Sequence, residues 1–262
     1  MESIAMINQK GGVGKTVCTA NLAACFDRDM KKKVLMVDCD SQCNLTRYMA
    51  TFMPEEPELS VREYIKEECT LKDVAYPVFE ETARHTVGTK MYIVPGTREM
   101  DYLDVPDREV FKKLLQEAYE MKFDYVFFDC PANLTLPTLI CLNAVEYILI
   151  PISGDVFSLD GYSMLIDTVQ TVRKTTNIYL KILGLFFNNM RMHESLDKYI
   201  YDDNVENLGK MLFKNYIRAS AIVKQAQMYG KPVTYFKPTS DVCGDYKSLA
   251  REIDKRIKKG VD

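Results

Sequence analysis

The chain has 262 residues, of which 47% are hydrophobic, and a formal net charge of −3. That length is within reach of one α/β domain with a large core, so we expect a single domain over residues 1–262. The sequence has no run of about twenty apolar residues and begins without a charged leader and cleavage site, which argues against a membrane-spanning or secreted protein. We therefore expect a cytoplasmic protein.

Short, continuous apolar runs recur along the chain and are typical of strands that are buried on both faces. Segments with helical spacing, such as residues 110–121 and 162–173, lie between several of them. This alternation predicts an α/β fold with a mostly parallel, doubly wound sheet and helices on both faces. The predicted strands cover residues 4–7, 34–37, 91–94, 125–128, 147–150 and 182–187.

A glycine-rich segment, GGVGKT at residues 11–16, lies between the first predicted strand and a helix-like run at 17–26. Glycines let the backbone turn with its amides inward, and the following helix offers its positive end. Lys15 can then reach the β and γ phosphates of a nucleotide, and Thr16 can ligate Mg²⁺. Gln9 occupies the place of the first glycine of the strict Walker A pattern, so that pattern is not met.

Residues 10–16, KGGVGKT, instead resemble the deviant Walker A motif, KGGxGK[ST], of the ParA/MinD family of P-loop ATPases. The resemblance implies that Lys10 reaches across a dimer interface to the partner's ATP, which links dimerisation to ATP occupancy. Lys10 and Lys15 are therefore predicted catalytic residues, with ATP or ADP and Mg²⁺ as ligands. The predicted nucleotide contacts are Gly11, Gly12, Val13, Gly14, Lys15, Thr16 and Val17.

Residues 38–46 follow the second predicted strand and resemble the family signature DxDPQxN. Carboxylates at the carboxyl end of such a strand face the ligand crevice. The resemblance implies that Asp38 supports Mg²⁺ and that Asp40 orients or activates the attacking water. Ser41 and Cys43 replace the usual Pro and Gly, which leaves the stiffness of this loop open.

Residues 125–131 form an apolar run that ends in Asp129 and resembles a Walker B strand. Beside a phosphate loop, such a carboxylate holds Mg²⁺ through water. The predicted metal-binding residues are thus Thr16, Asp38 and Asp129. The family usually continues with a second proline or a glycine where this chain has Ala132 and Asn133, so the switch behaviour of this loop stays open.

Asn188 lies where related proteins place an asparagine that contacts adenine, and an amide can pair with both the donor and the acceptor of the adenine edge. Two adjacent asparagines at a strand end are equally good turn formers, so both interpretations stay open. The family resemblance extends over nearly the whole chain. It includes residues 151–152, 157–161, 217–220, 229–233 and 246–252.

The C-terminal region is basic: residues 207–262 hold twelve Lys or Arg against five Asp or Glu, a balance of +7 that leaves −10 for the rest. Such a region can bind a polyanion, or it can be a set of solvated helix faces. The resemblance is to short, Soj-like partition ATPases. It implies an ATP-bound homodimer that binds DNA without sequence preference, associates with the nucleoid and responds to a ParB-like centromere-binding protein. We expect one DNA-binding face formed by Arg218, Lys224, Lys247, Arg251 and Lys255, with Lys210 and Lys214 as further candidates.

Three other functions stay open. A MinD-like regulator would insert an amphipathic C-terminal helix into a membrane, but residues 254–262 have few large apolar side chains and no stable insertion is expected. We expect the helix with apolar positions from Tyr246 to Ile257 to pack against the sheet.

An electron-transfer ATPase like the nitrogenase iron protein needs paired cluster cysteines, and Cys130 does not match that spacing. The eight scattered cysteines indicate buried thiols instead. The altered loops at 41–43 and 132–133 are also compatible with a nucleotide-binding scaffold of little turnover.

Overall fold

The computed structural model describes residues 1–53, 57–81, 86–105, 107–154 and 160–260. Part of the family-like segment at 157–161 therefore lies outside the described residues. The strands are β1 (Glu2–Met6), β2 (Val34–Asp38), β3 (Tyr76–Glu81), β4 (Thr86–Val94), β5 (Tyr125–Asp129), β6 (Tyr147–Ile152) and β7 (Lys181–Phe187).

These strands form one sheet in the order β3-β4-β2-β5-β1-β6-β7. All six predicted strands are present, and every pair among them is parallel. The edge strand β3, which pairs antiparallel with β4, was not predicted from the sequence. The central pairing of β2 with β5 places Asp38 opposite Asp129. The carboxyl ends of the parallel strands therefore bring both carboxylates to the same edge of the sheet.

Helices cover both faces of the sheet. In β1, Ala5 packs into a cluster with Phe111 and Ile140, whereas Ile4 packs on the other side with Leu22 and Leu249. This alternation arises because successive strand side chains point to opposite faces. The predicted doubly wound α/β fold is confirmed. The helices are α1 (Lys15–Arg28), α2 (Asn44–Met49), α3 (Val61–Ile65), α4 (Leu71–Val74), α5 (Val110–Glu120), α6 (Leu136–Ala144), α7 (Asp160–Thr175), α8 (Ser195–Leu208), α9 (Ala221–Met228), α10 (Val233–Phe236) and α11 (Asp241–Lys259).

The last helix, α11, buries its apolar stripe in the core, as expected. Tyr246, Leu249, Ile253 and Ile257 all pack in the cluster that α1 shares with the sheet. Burial of each such side chain contributes roughly 1.5–3 kcal/mol. The apolar face of α11 is therefore used inside the fold. Within the described part of the chain, no helix combines the length and the apolar character needed to cross a bilayer.

Candidate nucleotide-binding site

The glycine-rich loop takes the backbone conformation that its glycines allow. Gly12 and Gly14 have φ of 76° and 87°, in the left-handed region that favours glycine. Helix α1 begins immediately after Gly14, and no described side chain caps its N-terminus. The backbone amides of its first turn are thus available to an anion, and the helix dipole adds positive potential there.

Lys15 is buried at the base of this loop. Its Nζ donates to the carbonyl oxygen of Asn8 at 3.0 Å and to that of Lys10 at 3.5 Å. Burial lowers the pKa of Lys15, although the charges of Asp129, Cys130 and Asp40 oppose this shift. The ammonium group is therefore held close to the loop amides, where a phosphate would meet it.

Asn8 positions the loop, and the motif analysis missed it. Its Nδ2 donates to the carbonyl oxygen of Pro151 at 2.7 Å, and its Oδ1 accepts from the backbone amide of Lys10 at 2.9 Å. The side chain thereby links the end of β6 to the backbone of Lys10, the extra lysine of the motif. The only sequence signal was a polar residue directly after a buried strand, which is too common to single out.

Asn188 reaches the same loop from the end of β7. Its Nδ2 donates to the carbonyl oxygen of Val13 at 2.8 Å. A Cβ on Gly14 would lie 2.3 Å from that nitrogen, so only glycine fits beside the amide. The proximity of Asn188 to the phosphate loop agrees with the sequence analysis. Its contact with adenine stays a prediction.

Asp129 is fully buried and poorly satisfied. The hydroxyl of Thr19 donates to Oδ1 at 3.4 Å, while Oδ2 has no hydrogen-bond partner among the described residues. Burial, followed by the negative charge of Asp38, raises the pKa of Asp129 to about 8, and the nearby Thr16 hydroxyl and Lys15 partly oppose this. A buried carboxylate oxygen without a donor, next to a threonine hydroxyl, fits a magnesium site.

Asp38, the neighbour of Asp129 in the sheet, is surrounded by donors. Its Oδ2 accepts from the backbone amide of Thr46 at 2.8 Å and from the Thr46 hydroxyl at 2.7 Å. Its Oδ1 accepts from the amide of Asp40 at 3.2 Å. Burial raises the pKa of Asp38 to about 6, and these hydrogen bonds limit the rise. Asp38, which the sequence predicts as a metal ligand, thus uses both carboxylate oxygens to fix the loop that follows it.

The loop after Asp38 presents Asp40 at the crevice. Oδ1 of Asp40 accepts from the amide of Gln42 at 2.9 Å, and the Ser41 hydroxyl donates to Asp101 at 2.5 Å. Cys43, where the family has glycine, has φ of 49° and so adopts the left-handed conformation with a side chain. Cys43 therefore holds a conformation that glycine adopts without strain, at the cost of some backbone strain.

The site residues line a crevice of about 750 Å³. Six of the seven predicted nucleotide contacts line it, together with Asp40, Asn188 and Ala132, and Val13 is buried beside them. Tyr48, Arg218, Lys224 and Tyr246 complete its far side and were not assigned to this crevice from the sequence. The volume is within the range of ligand pockets.

Six of the eight cysteines are buried, and Cys43 and Cys69 are half-buried. The thiols of Cys39 and Cys141 lie 3.6 Å apart below the two carboxylates. Among the residues described by the structure, no group of three or more His, Cys, Asp or Glu side chains is arranged to hold a metal ion. Magnesium at a nucleotide site requires only one or two carboxylates, since substrate phosphates and water supply the other ligands.

The predicted DNA-binding residues line adjoining cavities, and their part in DNA binding stays a prediction. Arg218 forms a two-pronged ion pair with Asp245, at 2.7 and 2.9 Å, and Lys247 pairs with Asp29 at 3.2 Å. Lys224 lines the nucleotide crevice. Arg218 and Lys247 also line one surface cavity together, and Arg251 and Lys255 line a separate, larger cavity.

That cavity, which we call the basic groove, has a volume of about 990 Å³ and lies between α8 and α11. Glu252 is its acidic residue, and this carboxylate accepts from the amides of Lys214 and Asn215. Arg256 lies 3.7 Å from the ring centre of Phe213 and donates to the carbonyl oxygen of Leu212, so it supports the floor. The groove's exposed basic residues are Lys210, Lys214, Arg251, Lys255 and Lys259.

Comparisons with known proteins agree with the fold. The AAA domain family profile matches residues 1–182. The chain is 29% identical over 255 residues to the sporulation initiation inhibitor protein Soj of Bacillus subtilis, with 95% of this chain and 97% of that protein covered.

Two solved structures share the fold. The septum site-determining protein MinD of Pyrococcus horikoshii, complexed with Mg-ADP, aligns with a TM-score of 0.76 and 23% identity over 97% of this chain and 96% of MinD. Apo McdA of Cyanothece aligns with a TM-score of 0.80 and 20% identity over 98% of this chain and 99% of McdA.

Proposed function

The chain belongs to the AAA domain family as a P-loop ATPase of the ParA/MinD type, and we propose that it dimerises around Mg-ATP. In that state it binds DNA without sequence preference, and it hydrolyses ATP slowly to partition a chromosome, plasmid or mobile element. The observation that carries this proposal is the loop at residues 10–16, where Lys10 precedes the uncapped start of α1 and Lys15 is the first residue of that helix. The protein is cytoplasmic and associates with the nucleoid when ATP is bound.

ATP and Mg²⁺ are the ligands that suit the crevice. The loop amides and Lys15 bind the β and γ phosphates. Asp129 and Thr16 would hold the cation, and the buried Asp129 oxygen that has no hydrogen-bond partner among the described residues supports this assignment. The cation, when bound, neutralises charge that develops on the phosphates. Asn188 contacts the nucleotide from the opposite side of the loop.

Lys10 acts in trans in this proposal, and Asp40 orients the attacking water. Three variants separate these roles. Lys15→Ala loses nucleotide binding, Asp40→Ala retains ATP and accumulates dimer, and Lys10→Ala binds ATP as a monomer. Isothermal calorimetry measures the nucleotide, and light scattering measures the oligomer. Normal ATP-dependent dimerisation of Lys10→Ala would exclude the trans-lysine role.

The basic groove supports a polyanion partner. Its five exposed lysine and arginine residues project from α11 and from the segment after α8, so one bound backbone can contact several of them. DNA affinity then falls with added salt, with a slope of about −0.9 in the double-logarithmic plot per neutralised phosphate. Arg218 and Lys247 contribute less, because each is already paired with a carboxylate.

The experiment is DNA binding with ATP, with ADP and without nucleotide, across a salt series. We expect binding only with ATP, and a reduced salt slope for Arg251→Glu and Lys255→Glu. Lys174→Glu, an exposed charge change on α7, is the matched control. DNA binding that is independent of the nucleotide or of the salt concentration would contradict the proposal. A ParB-like protein is the expected partner, tested by its stimulation of ATP turnover.

A MinD-like regulator is the second candidate, and structural relatives of that type exist. It would require an amphipathic helix that can leave the protein for the membrane. Helix α11 uses its apolar stripe in the core, which favours the partition ATPase. Liposome co-sedimentation with ATP tests this point, since the partition ATPase stays in the supernatant.

A further inference from the structure

We propose that Thr46 and Gly96 are positioning residues that hold Asp38, and through it the loop that carries Asp40, in the arrangement needed for ATP hydrolysis. Thr46 lies in α2, and Gly96 follows β4. The phosphate-loop and Walker B motifs assign neither residue a role. The inference rests on the ATPase assignment and extends the hydrolytic site to two further elements of the fold.

The Thr46 hydroxyl connects two strand ends. It donates to Oδ2 of Asp38 at 2.7 Å and accepts from the backbone amide of Gly96 at 2.8 Å. A threonine hydroxyl has a single hydrogen, so its donor capacity is fully committed to the carboxylate. The backbone amide of Thr46 adds a second hydrogen bond to the same oxygen at 2.8 Å.

The other oxygen of Asp38 binds the beginning of the loop that follows β2. Oδ1 accepts from the amide of Asp40, two residues later, whereas Oδ2 accepts from Thr46, eight residues later. One carboxylate therefore fixes both ends of the segment that contains Asp40. Because the carboxylate is fully buried, water does not compete for these hydrogen bonds.

Gly96 restricts Asp38 from the opposite side. A Cβ built on Gly96 would lie 2.9 Å from Cγ and 3.0 Å from Oδ2 of Asp38. Gly96 does not have a left-handed φ, so its lack of a side chain is required by space alone. A side chain at residue 96 would therefore collide with the carboxylate and displace it.

The consequence for catalysis follows from geometry. Asp40 lines the nucleotide crevice on a loop whose shape depends on the contacts of Asp38. Misplacement of a reacting group by about 1 Å can cost on the order of 10²-fold in rate. Loss of the Thr46 hydroxyl should therefore reduce kcat, while the phosphate loop and Asp129 continue to bind Mg-ATP.

The test compares Thr46→Val with Thr46→Ser in ATP hydrolysis, under titration of ATP and of Mg²⁺. We expect Thr46→Val to lower kcat about tenfold or more, with KM for ATP and half-saturating Mg²⁺ within about twofold of the wild type. Thr46→Ser restores the hydroxyl and most of kcat. Thr234→Val is the matched control, because Thr234 is buried in α10 and its hydroxyl has no hydrogen bond among the described residues.

Gly96→Ala gives an independent measurement, and decides the matter should Thr46→Val fail to fold. We expect the same loss of kcat with unchanged Mg²⁺ dependence. Unchanged kcat in the variants overturns the positioning role. A rise in half-saturating Mg²⁺ that matches the loss of kcat overturns it as well, since Asp38 would then act as a metal ligand. A wild type without turnover refutes the ATPase assignment, which distinguishes that failure from this one.

Discussion

Asp38 and Asp129 face each other on adjacent parallel strands and are equally inaccessible to water, yet their surroundings differ completely. Asp38 accepts three hydrogen bonds from its own loop. Asp129 accepts one long hydrogen bond from Thr19 and keeps an oxygen without a donor among the described residues. Equivalent positions at the edge of a sheet therefore do not imply equivalent chemistry.

The difference originates in the chain that follows each strand. After β2, a tight turn leads into α2 at Asn44, and the first turn of that helix places the Thr46 amide and hydroxyl against Asp38. After β5, helix α6 begins only at Leu136, farther along the chain. Among the described residues no donor reaches Oδ2 of Asp129, and the proposed function assigns this oxygen to Mg²⁺ bound with a nucleotide.

Asp129→Asn should have the largest effect. The amide keeps the size of the side chain but removes the charge that a cation requires, so Mg²⁺-dependent ATP binding should weaken and turnover should fall by about 10²–10³-fold. Steady-state hydrolysis and a Mg²⁺ titration measure both effects. Above about pH 4 the metal-free variant should be more stable than the wild type, because the wild type must keep this carboxyl protonated or bury its charge on folding. If Asp129→Asn hydrolysed ATP with the same Mg²⁺ dependence as the wild type, Asp129 would not differ from Asp38 as a metal ligand.

Asp38→Asn should have a smaller effect of a different kind. The amide can accept from one partner, but its NH₂ group meets donors at the other position, so about 1–3 kcal/mol of loop-holding interaction is lost. If that energy is lost from the transition state, kcat falls roughly 10- to 100-fold. Half-saturating Mg²⁺ should stay near the wild-type value. A common shift in Mg²⁺ affinity in both variants would place both carboxylates at the metal.

The sequence predicted the part of the site whose residues are adjacent in the chain. The apolar runs gave six parallel strands because both faces of such strands are buried, and the motif at 10–16 identified the loop at the end of β1. Asp38, Asp40 and Asp129 were found at strand ends, which meet at one edge in any parallel sheet. These inferences need only local pattern and general topology.

The missed features depend on contacts between distant residues. Gly96, just after β4, lies beside Asp38 at the end of the neighbouring strand β2, 58 positions earlier in the chain, and the Arg218–Asp245 pair joins residues 27 positions apart. The basic groove needs the placement of α8 against α11, which no periodicity reveals. The edge strand β3 contains Pro77 and two consecutive glutamates, a composition that weakens a strand prediction.

The pH dependence of stability separates the two carboxylates in the metal-free protein. A carboxyl group whose pKa is raised by folding stabilises the native state below its unfolded pKa, near 4, and that contribution is lost as pH rises through the folded pKa. The loss should extend to about pH 6 for Asp38 and to about pH 8 for Asp129.

Melting temperatures in EDTA should therefore fall from about pH 4 to about pH 8, by a few degrees or more. Asp129→Asn should remove the decline above about pH 6 and reduce it below, whereas Asp38→Asn should reduce only the part below about pH 6. Added Mg²⁺ and nucleotide should stabilise the wild type most at the alkaline end, where Asp129 is ionised. Identical profiles for the two variants would show that the carboxylates titrate alike.

Cys43→Gly should give the smallest effect, and it tests whether the Asp38 loop is held by its hydrogen bonds or by its turn residue. A side chain in the left-handed conformation destabilises the folded state by about 1–2 kcal/mol. Glycine removes this strain, but it loses more conformational entropy on folding, which offsets about 0.5–1 kcal/mol of the gain. A net gain of about 0.5–1 kcal/mol corresponds to roughly 1–4 °C in Tm for a chain of this size. Lys122→Gly, at a φ of 60° beyond the end of α5, provides the same relief away from the site and should raise Tm similarly. If Cys43→Gly instead lowers Tm while Lys122→Gly raises it, the Cys43 side chain is itself needed to keep the loop around Asp38 in place.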